Sequence, residues 1–155
     1  MRCNIVLTGL SGSSLPMTWA IDGLHTEKDI TNERQGARGG SIQVYYHNKN
    51  GEGDYFTLHD DEKQLHDDGT AQWIGFRKQY FTTALVGDDG LEKLESKFKI
   101  VTKDSDVVAM NLATLQVPLK NNGNNLSASM RWFIGPNDYH TLKAYKMSME
   151  DMVPL

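Results

Sequence analysis

The sequence predicts a mostly β protein, an antiparallel β-sandwich with one or two short helices. Three observations carry this. Apolar and polar residues alternate in many short runs, the period of a strand with one buried face. Turn-forming clusters of Asn, Asp, Gly and Ser separate those runs. Only two short segments, 26–34 and 137–145, read as helical. At 155 residues the chain fits one domain spanning 1–155, long enough to hide roughly 70% of its unfolded surface. A set of about eight or nine short strands then favours two packed sheets.

Taken in order, residues 4–8 alternate, and residues 17–21 do so around Trp19. Residues 41–46 are rich in β-branched and aromatic side chains. The turn Asn48-Lys49-Asn50-Gly51 predicts a hairpin from there into residues 54–58. Residues 72–76 and 80–86 are two further apolar stretches. Residues 95–101 alternate, with Ser96, Phe98 and Ile100 on one face and Glu95, Lys97 and Lys99 on the other. Residues 107–117 form a longer strand that Pro118 ends, because proline has no amide to give a ladder. The run Asn121-Asn122-Gly123-Asn124-Asn125 is the strongest turn signal, and it predicts an antiparallel pair between 107–117 and 126–134. Residues 26–34 are polar nearly all round and read as a surface turn of helix. Residues 137–145 make the better helix: Pro136 precedes it, Asn137 is the expected cap, and Tyr139, Leu142 and Tyr145 share a face.

Composition excludes several functions. The formal charge is −4 and the basic residues are scattered among acidic ones, so no nucleic-acid surface is expected. A single cysteine, Cys3, excludes a disulfide within the chain and a thiolate cluster. No run of 18 apolar residues is present to cross a bilayer as a helix. The apolar patch at 5–10 is interrupted by Gly9, Ser11, Gly12, Ser13 and Ser14, a poor signal peptide; any export signal is expected outside this sequence.

The search for chemistry yields no catalytic residue, metal site or cofactor site. The five histidines have no H-x₃-H or H-E-x-x-H spacing. His59-Asp60-Asp61-Glu62 with His66-Asp67-Asp68 offers hard oxygens to a cation, but reads as a solvated acidic loop. Gly9-Leu10-Ser11-Gly12-Ser13 has the wrong spacing for a nucleophile elbow. Gly36-Ala37-Arg38-Gly39-Gly40 lacks the strand and helix that would aim amides at a phosphate. Trp19, Trp73, Phe76, Tyr80, Phe81, Trp132 and Phe133 are expected in the sandwich core. An open groove lined by such rings would instead take a sugar or an extended apolar peptide. A carbohydrate-binding or mutarotase-like module is therefore the alternative reading.

Two stretches are distinctive together. The first is Trp73-Ile74-Gly75-Phe76-Arg77-Lys78-Gln79-Tyr80-Phe81-Thr82-Thr83-Ala84-Leu85. The second, more specific, is Arg131-Trp132-Phe133-Ile134-Gly135-Pro136-Asn137-Asp138-Tyr139-His140-Thr141-Leu142-Lys143-Ala144-Tyr145. They resemble the periplasmic domain of YidC-type membrane protein insertases, of the YidC/Oxa/Alb family. The second resembles the closing strand, Gly-Pro turn and short helix that lead toward the first core membrane helix. The block 19–34, with Glu27-Lys28 and Glu33-Arg34, is similar to the Bacteroidetes-like branch. The signature residues are Trp73, Gln79, Tyr80, Phe81, Trp132, Gly135, Pro136, Tyr139 and Leu142, all expected to serve structure.

The resemblance implies the C-terminal part of a larger, galactose-mutarotase-like supersandwich on the periplasmic side of the bacterial inner membrane. The full-length protein would be anchored by segments absent here. It implies a non-catalytic role, without cofactor, in a chaperone-like insertase that helps insert and fold membrane proteins. The implied partners are nascent inner-membrane proteins and the Sec translocon. No acid and base match mutarotase chemistry, and fold alone would not imply it. A half-sandwich also predicts an apolar face left open, hence a homodimer or edge-strand pairing of the isolated chain.

Overall fold

In the computed structural model the described residues are 1–25, 42–48, 50, 52–57, 62–100 and 107–153, and they build an antiparallel β-sandwich. The expected helix at 26–34, the Gly36–Gly40 run and residues 59–61 of the acidic cluster lie outside them. Nine strands are present among the described residues: β1 (Arg2–Thr8), β2 (Ser14–His25), β3 (Gln43–Asn48), β4 (Gly53–Thr57), β5 (Glu62–Arg77), β6 (Phe81–Ile100), β7 (Val107–Pro118), β8 (Lys120–Asn122) and β9 (Asn125–Pro136).

The two layers are joined through the long β5–β6 hairpin. The first half of β6 pairs with β9, from Phe81↔Pro136 to Gly87↔Met130. Its second half pairs with β7, from Glu92↔Gln116 to Ile100↔Ala109. One layer therefore runs β1-β9-β6-β5-β3-β4, while β2 and β7 extend the other from the far half of β6. The two expected strands at 80–86 and 95–101 are one 20-residue strand. Between them Gly87-Asp88-Asp89-Gly90 forms a bulge, set against Gln72 alone between the pairs Trp73↔Val86 and Ala71↔Leu91. Gly90 takes φ 100, and a Cβ on Gly87 would lie 2.6 Å from the Gly90 carbonyl oxygen, so the bend needs glycine at both ends.

Alternation along the strands sends Val44, Ile74, Phe76, Leu85 and Met130 of the first layer against Leu91, Leu94, Phe98, Val108 and Leu115 of the second. Trp19 of β2 stacks on Phe76 of β5 across the sandwich, centroids 4.8 Å apart. Burying each such large side chain contributes about 1.5–3 kcal/mol.

The expected β3–β4 hairpin forms. Asn48 Oδ1 accepts the amides of Asn50 (3.0 Å) and Glu52 (2.9 Å), the local bonding that makes asparagine a turn former. The other expected hairpin is corrected. Strand β7 does not pair with β9 but with β2 and β6. Beyond Pro118 the chain turns, Leu119 N–H donates to Ser13 O (2.9 Å), and the Asn-rich turn closes the short exposed β8 onto β9 at Asn122↔Asn125. Gly123 takes the positive φ of 75 there.

The outer face of the first layer carries a second core. Trp73, Ala84, Val86 and Phe133 point away from the sandwich and are covered by the chain after β9. That chain contains helix α1 (Tyr139–Lys143) and a 3₁₀ turn at Met149–Met152, whose Leu142, Met149 and Met152 are fully buried. The cap of α1 is Asp138 and not the expected Asn137: Asp138 Oδ1 accepts from Thr141 N (2.7 Å) and Oγ1 (2.6 Å). Asn137 is engaged elsewhere.

Candidate binding cleft

The two signature stretches meet. Strand residues 81–86 pair with 131–136, and the Gly-Pro-Asn bend clasps the β5–β6 turn. Asn137 N–H donates to Tyr80 O (2.8 Å), and Asn137 Nδ2 donates to Lys78 O (2.8 Å) and Gln79 O (3.2 Å). Thr82 Oγ1 donates to Asn137 Oδ1. Gly135 is required because the Phe133 ring lies over it, 2.8 Å from where a Cβ would sit.

The remaining signature residues divide by environment. Trp73 is 1% exposed, and its Nε1–H donates to Met147 O (2.8 Å), fastening the C-terminal segment to β5. Leu142 anchors α1 in the same core. Trp132 is half-buried against the main core, and Tyr139 is half-buried at the end of α1. Gln79 and Pro136 are exposed. Tyr80 and Phe81, expected in the core, are 46% and 51% exposed. Tyr80 sits in the turn. Phe81 begins β6 at the rim, where its cross-strand neighbourhood holds Pro136 and the 71% exposed Ile134 rather than an opposing strand.

Beside this clasp lies an open cleft of about 560 Å³, between the β3–β4 hairpin and the C-terminal segment. Its volume is in the range of ligand-binding clefts. The hairpin register puts Tyr45 opposite Tyr55 on one face, and their rings stack at 5.2 Å. Two residues along β3, His47 stacks on Trp73, 5.7 Å between centroids and 9° between planes. Gly53 opposite His47 leaves room for that ring, since a Cβ there would meet His47 Cδ2 at 3.0 Å. Tyr55 enters from β4, Tyr139 from α1, and Glu150 and Asp151 from the 3₁₀ turn, while Asp54 at the strand edge accepts the Tyr55 amide on its Oδ1 (2.8 Å).

Two polar atoms in this wall are unsatisfied. His47 is 3% exposed and its Nδ1 has no hydrogen-bond partner among the described residues. Glu150 Oε2 is buried and equally without one. At the rim, Lys143 Nζ lies 5.2 Å from the Tyr139 ring centroid and 3.2 Å from its hydroxyl. The Tyr139 hydroxyl, and then Glu150, favour the charged ammonium and raise the Lys143 pKa above its usual value.

Sequence reasoning counted His47 among the five histidines without a role and did not single out Tyr45, Tyr55 or Glu150. The available signal was the hairpin itself, whose turn fixes a register that stacks Tyr45 and Tyr55. The acidic cluster, by contrast, is not a loop where it is described: residues 62–68 belong to β5. There His66 pairs with Asp68 (2.8 Å) and Glu95 (3.1 Å) on an open surface. Among the described residues no group of three His, Cys, Asp or Glu is placed to hold a metal ion.

Comparison with known proteins agrees with the two signatures. The chain is 28% identical over 166 aligned positions to a protein named membrane protein insertase YidC from Parabacteroides distasonis, covering 100% of this chain and 25% of that protein. It is 24% identical over 153 positions to one of the same name from Chlorobaculum parvum, covering 93% of this chain and 24% of that protein. The chain thus spans about a quarter of the length of the curated relatives it matches. Residues 11–155, which include both signatures and every residue of the cleft, match the family described as the YidC periplasmic domain, and the chain belongs to that family.

Proposed function

We propose that this chain is the non-catalytic periplasmic part of an inner-membrane protein insertase, forming the C-terminal portion of a larger periplasmic domain. It offers nascent membrane proteins or partner subunits a docking edge. The observation that carries the docking edge is the cleft beside β4. Strand β4 ends its layer and, among the described residues, has no strand on its outer side. An extended polypeptide adding there would gain ladder hydrogen bonds, displacing Asp54 Oδ1 from the Tyr55 amide, and would lay alternate side chains against the Tyr55 and Tyr45 rings. Both relatives are named as membrane protein insertases. Contact with the Sec translocon, and self-association of the isolated chain, belong to the same proposal.

A sugar-binding reading draws on the same rings, since aromatic platforms with nearby carboxylates suit a pyranose face. A mutarotase would further need an acid and a base poised together. His47 Nδ1 and Glu150 Oε2 both lie buried without a partner, which gives that chemistry no support.

The test is a photo-crosslinking amino acid at Tyr55 in the full-length protein in cells. Adducts with nascent membrane proteins or translocon subunits are expected, and reduced by a Tyr45→Ala substitution. Absence of any adduct at Tyr55, with adducts forming at an exposed control such as Asp68, overturns the proposal.

A further inference from the structure

The first layer ends on β1 at one side and on β4 at the other. The two edges differ in how they are protected. At β4 the Asp54 carboxylate covers the Tyr55 amide, a contact that a newcomer can displace. In the second layer β2 carries Pro16 and breaks register twice beyond Ile21, and the first part of β5 breaks register between Asp67 and Thr70. Such features keep a sheet edge from pairing. Strand β1 has no proline and no bulge, and among the described residues no side chain covers its outward amides. Its one charge, Arg2, lies at the strand end and is paired with Asp88 (3.4 Å).

Hydrogen-bond parity defines what β1 leaves open. Met1 N donates to Trp132 O (2.8 Å) and Trp132 N to Met1 O (2.7 Å), so these two residues exchange both bonds of a pair. The register then runs unbroken from Arg2↔Arg131 to Thr8↔Asn125. Cys3, Ile5 and Leu7 therefore bond β9, and the backbone groups of Arg2, Asn4, Val6 and Thr8 point the other way. Among the described residues no strand meets that side. The side chains agree. Ile5 reaches the main core yet stays half-buried, as Cys3 and Leu7 do, and Val6 is 59% exposed.

We infer that the outer edge of β1 is filled by a strand of the full-length protein that lies outside this sequence, its apolar residues set beside Ile5 and Leu7. The inference rests on the reading above of this chain as one portion of a larger periplasmic domain, and it names the edge where the portions join. An edge without a guard suits an occupant that stays, whereas the Asp54 contact on β4 suits one that comes and goes. There is chain to supply the strand, since the matches cover 25% and 24% of the two relatives' lengths. Pairing gives the four outward residues their ladder bonds and covers the half-open row.

The test is amide hydrogen exchange, read residue by residue over 2–8, on this chain and on the full-length protein in detergent. In this chain alone Asn4, Val6 and Thr8 are expected to exchange about a hundredfold or more faster than Cys3, Ile5 and Leu7. In the full-length protein all six are expected to be slow, whatever the protein concentration. Val6→Pro removes an amide that β9 does not use. It is expected to shift the urea midpoint of this chain far less than Leu7→Pro, and to speed exchange at Asn4 and Thr8 in the full-length protein. Fast exchange at Asn4, Val6 and Thr8 in the full-length protein overturns the inference. So does protection that rises with protein concentration, which seats a second copy there instead. The two readings fail separately. A full-length protein with no further periplasmic sequence rejects the larger domain and this inference with it. A larger domain whose outward β1 amides stay fast rejects the inference alone.

Discussion

Asn137 Nδ2 donates to the Lys78 carbonyl oxygen at 2.8 Å, tying the end of β9 to the turn between β5 and β6. The same side chain bonds Gln79 O and accepts from Thr82, so one residue satisfies three groups of a turn that has no layer above it. Asn137→Ala removes these bonds and strands the buried Thr82 hydroxyl, and is expected to cost about 1–3 kcal/mol in urea unfolding. Asn137→Asp is expected to cost at least as much, because a carboxylate can only oppose the two carbonyl oxygens it replaces donors for.

The Trp73–Met147 bond makes a different prediction, a local one. In Trp73→Phe the Met147 carbonyl loses its donor while the ring still fills most of the space. The C-terminal segment should open more often, by about 5- to 150-fold for a loss of about 1–3 kcal/mol. Amide exchange should quicken at Met149 and Met152 and stay slow at Leu85 in β6. Uniform quickening would mean that the segment and the sheet unfold as one unit.

Gly75 and Met152 are coupled by space. A Cβ on Gly75 would lie 2.5 Å from Met152 Sδ, so the 3₁₀ turn seats there only because β5 has no side chain at that point. Gly75→Ala is expected to cost about 1–3 kcal/mol as overpacking. Met152→Ala is expected to cost about 2–5 kcal/mol as a cavity. Combined, the added methyl occupies part of the vacated space, and a denaturation cycle should show the double variant less destabilised than the sum by about 0.5–3 kcal/mol. Additivity would show that the methionine escapes the clash unaided.

What the sequence made legible were features set by short-range chemistry. Asn48 bonds amides two and four residues on, so the β3–β4 hairpin could be read from its turn. The Gly-Pro bend and short helix could be read the same way, though the cap lay one residue further on, at Asp138, because the Asn137 side chain was already taken by β6 and its turn. The stretches 80–86 and 95–101 read as two strands because the glycines and aspartates between them, which form a bulge, are residue types that also make turns. Only the partners, β9 on one side and β7 on the other, decide between them. Residues 147–153 carried no legible signal for the second core, since Met149 and Met152 are buried by a sheet face some 70 residues earlier. The cleft was hidden for the same reason: Tyr45 and Glu150 are neighbours only once that segment folds back.

Acid should act through Asp88. Partial burial pushes its pKa up, but the Ser129 hydroxyl and the Arg131 and Arg2 guanidinium groups outweigh it and hold the carboxyl below its ordinary value of 3.8. Asp138, bonded by the Thr141 hydroxyl and amide, is likewise lowered. A carboxyl with a lowered folded pKa stabilises above its unfolded value, and the contribution disappears as pH falls through the folded one. Stability measured by urea should therefore be flat in these groups above about pH 5 and fall below about pH 4. Asp88→Asn should lower stability at neutral pH and give a shallower acid limb. An unchanged limb would show that these pairs contribute nothing to the pH dependence.

The self-association in our proposal has a defined place to be tested. Phe81 and Ile134 belong to the alternate set that faces inward along β6 and β9, yet they are 51% and 71% exposed because β2 and β7 do not reach that end of the first layer. Their apolar area is what a second copy would cover. Phe81→Ser with Ile134→Thr removes few buried contacts and should change stability by no more than about 0.5 kcal/mol per site. If association uses this rim, sedimentation of the full chain should show a concentration-dependent dimer that the double variant abolishes. A wild-type chain that sediments as a monomer across micromolar to millimolar concentrations rejects the self-association, and a dimer that survives the double variant rejects this rim as its site.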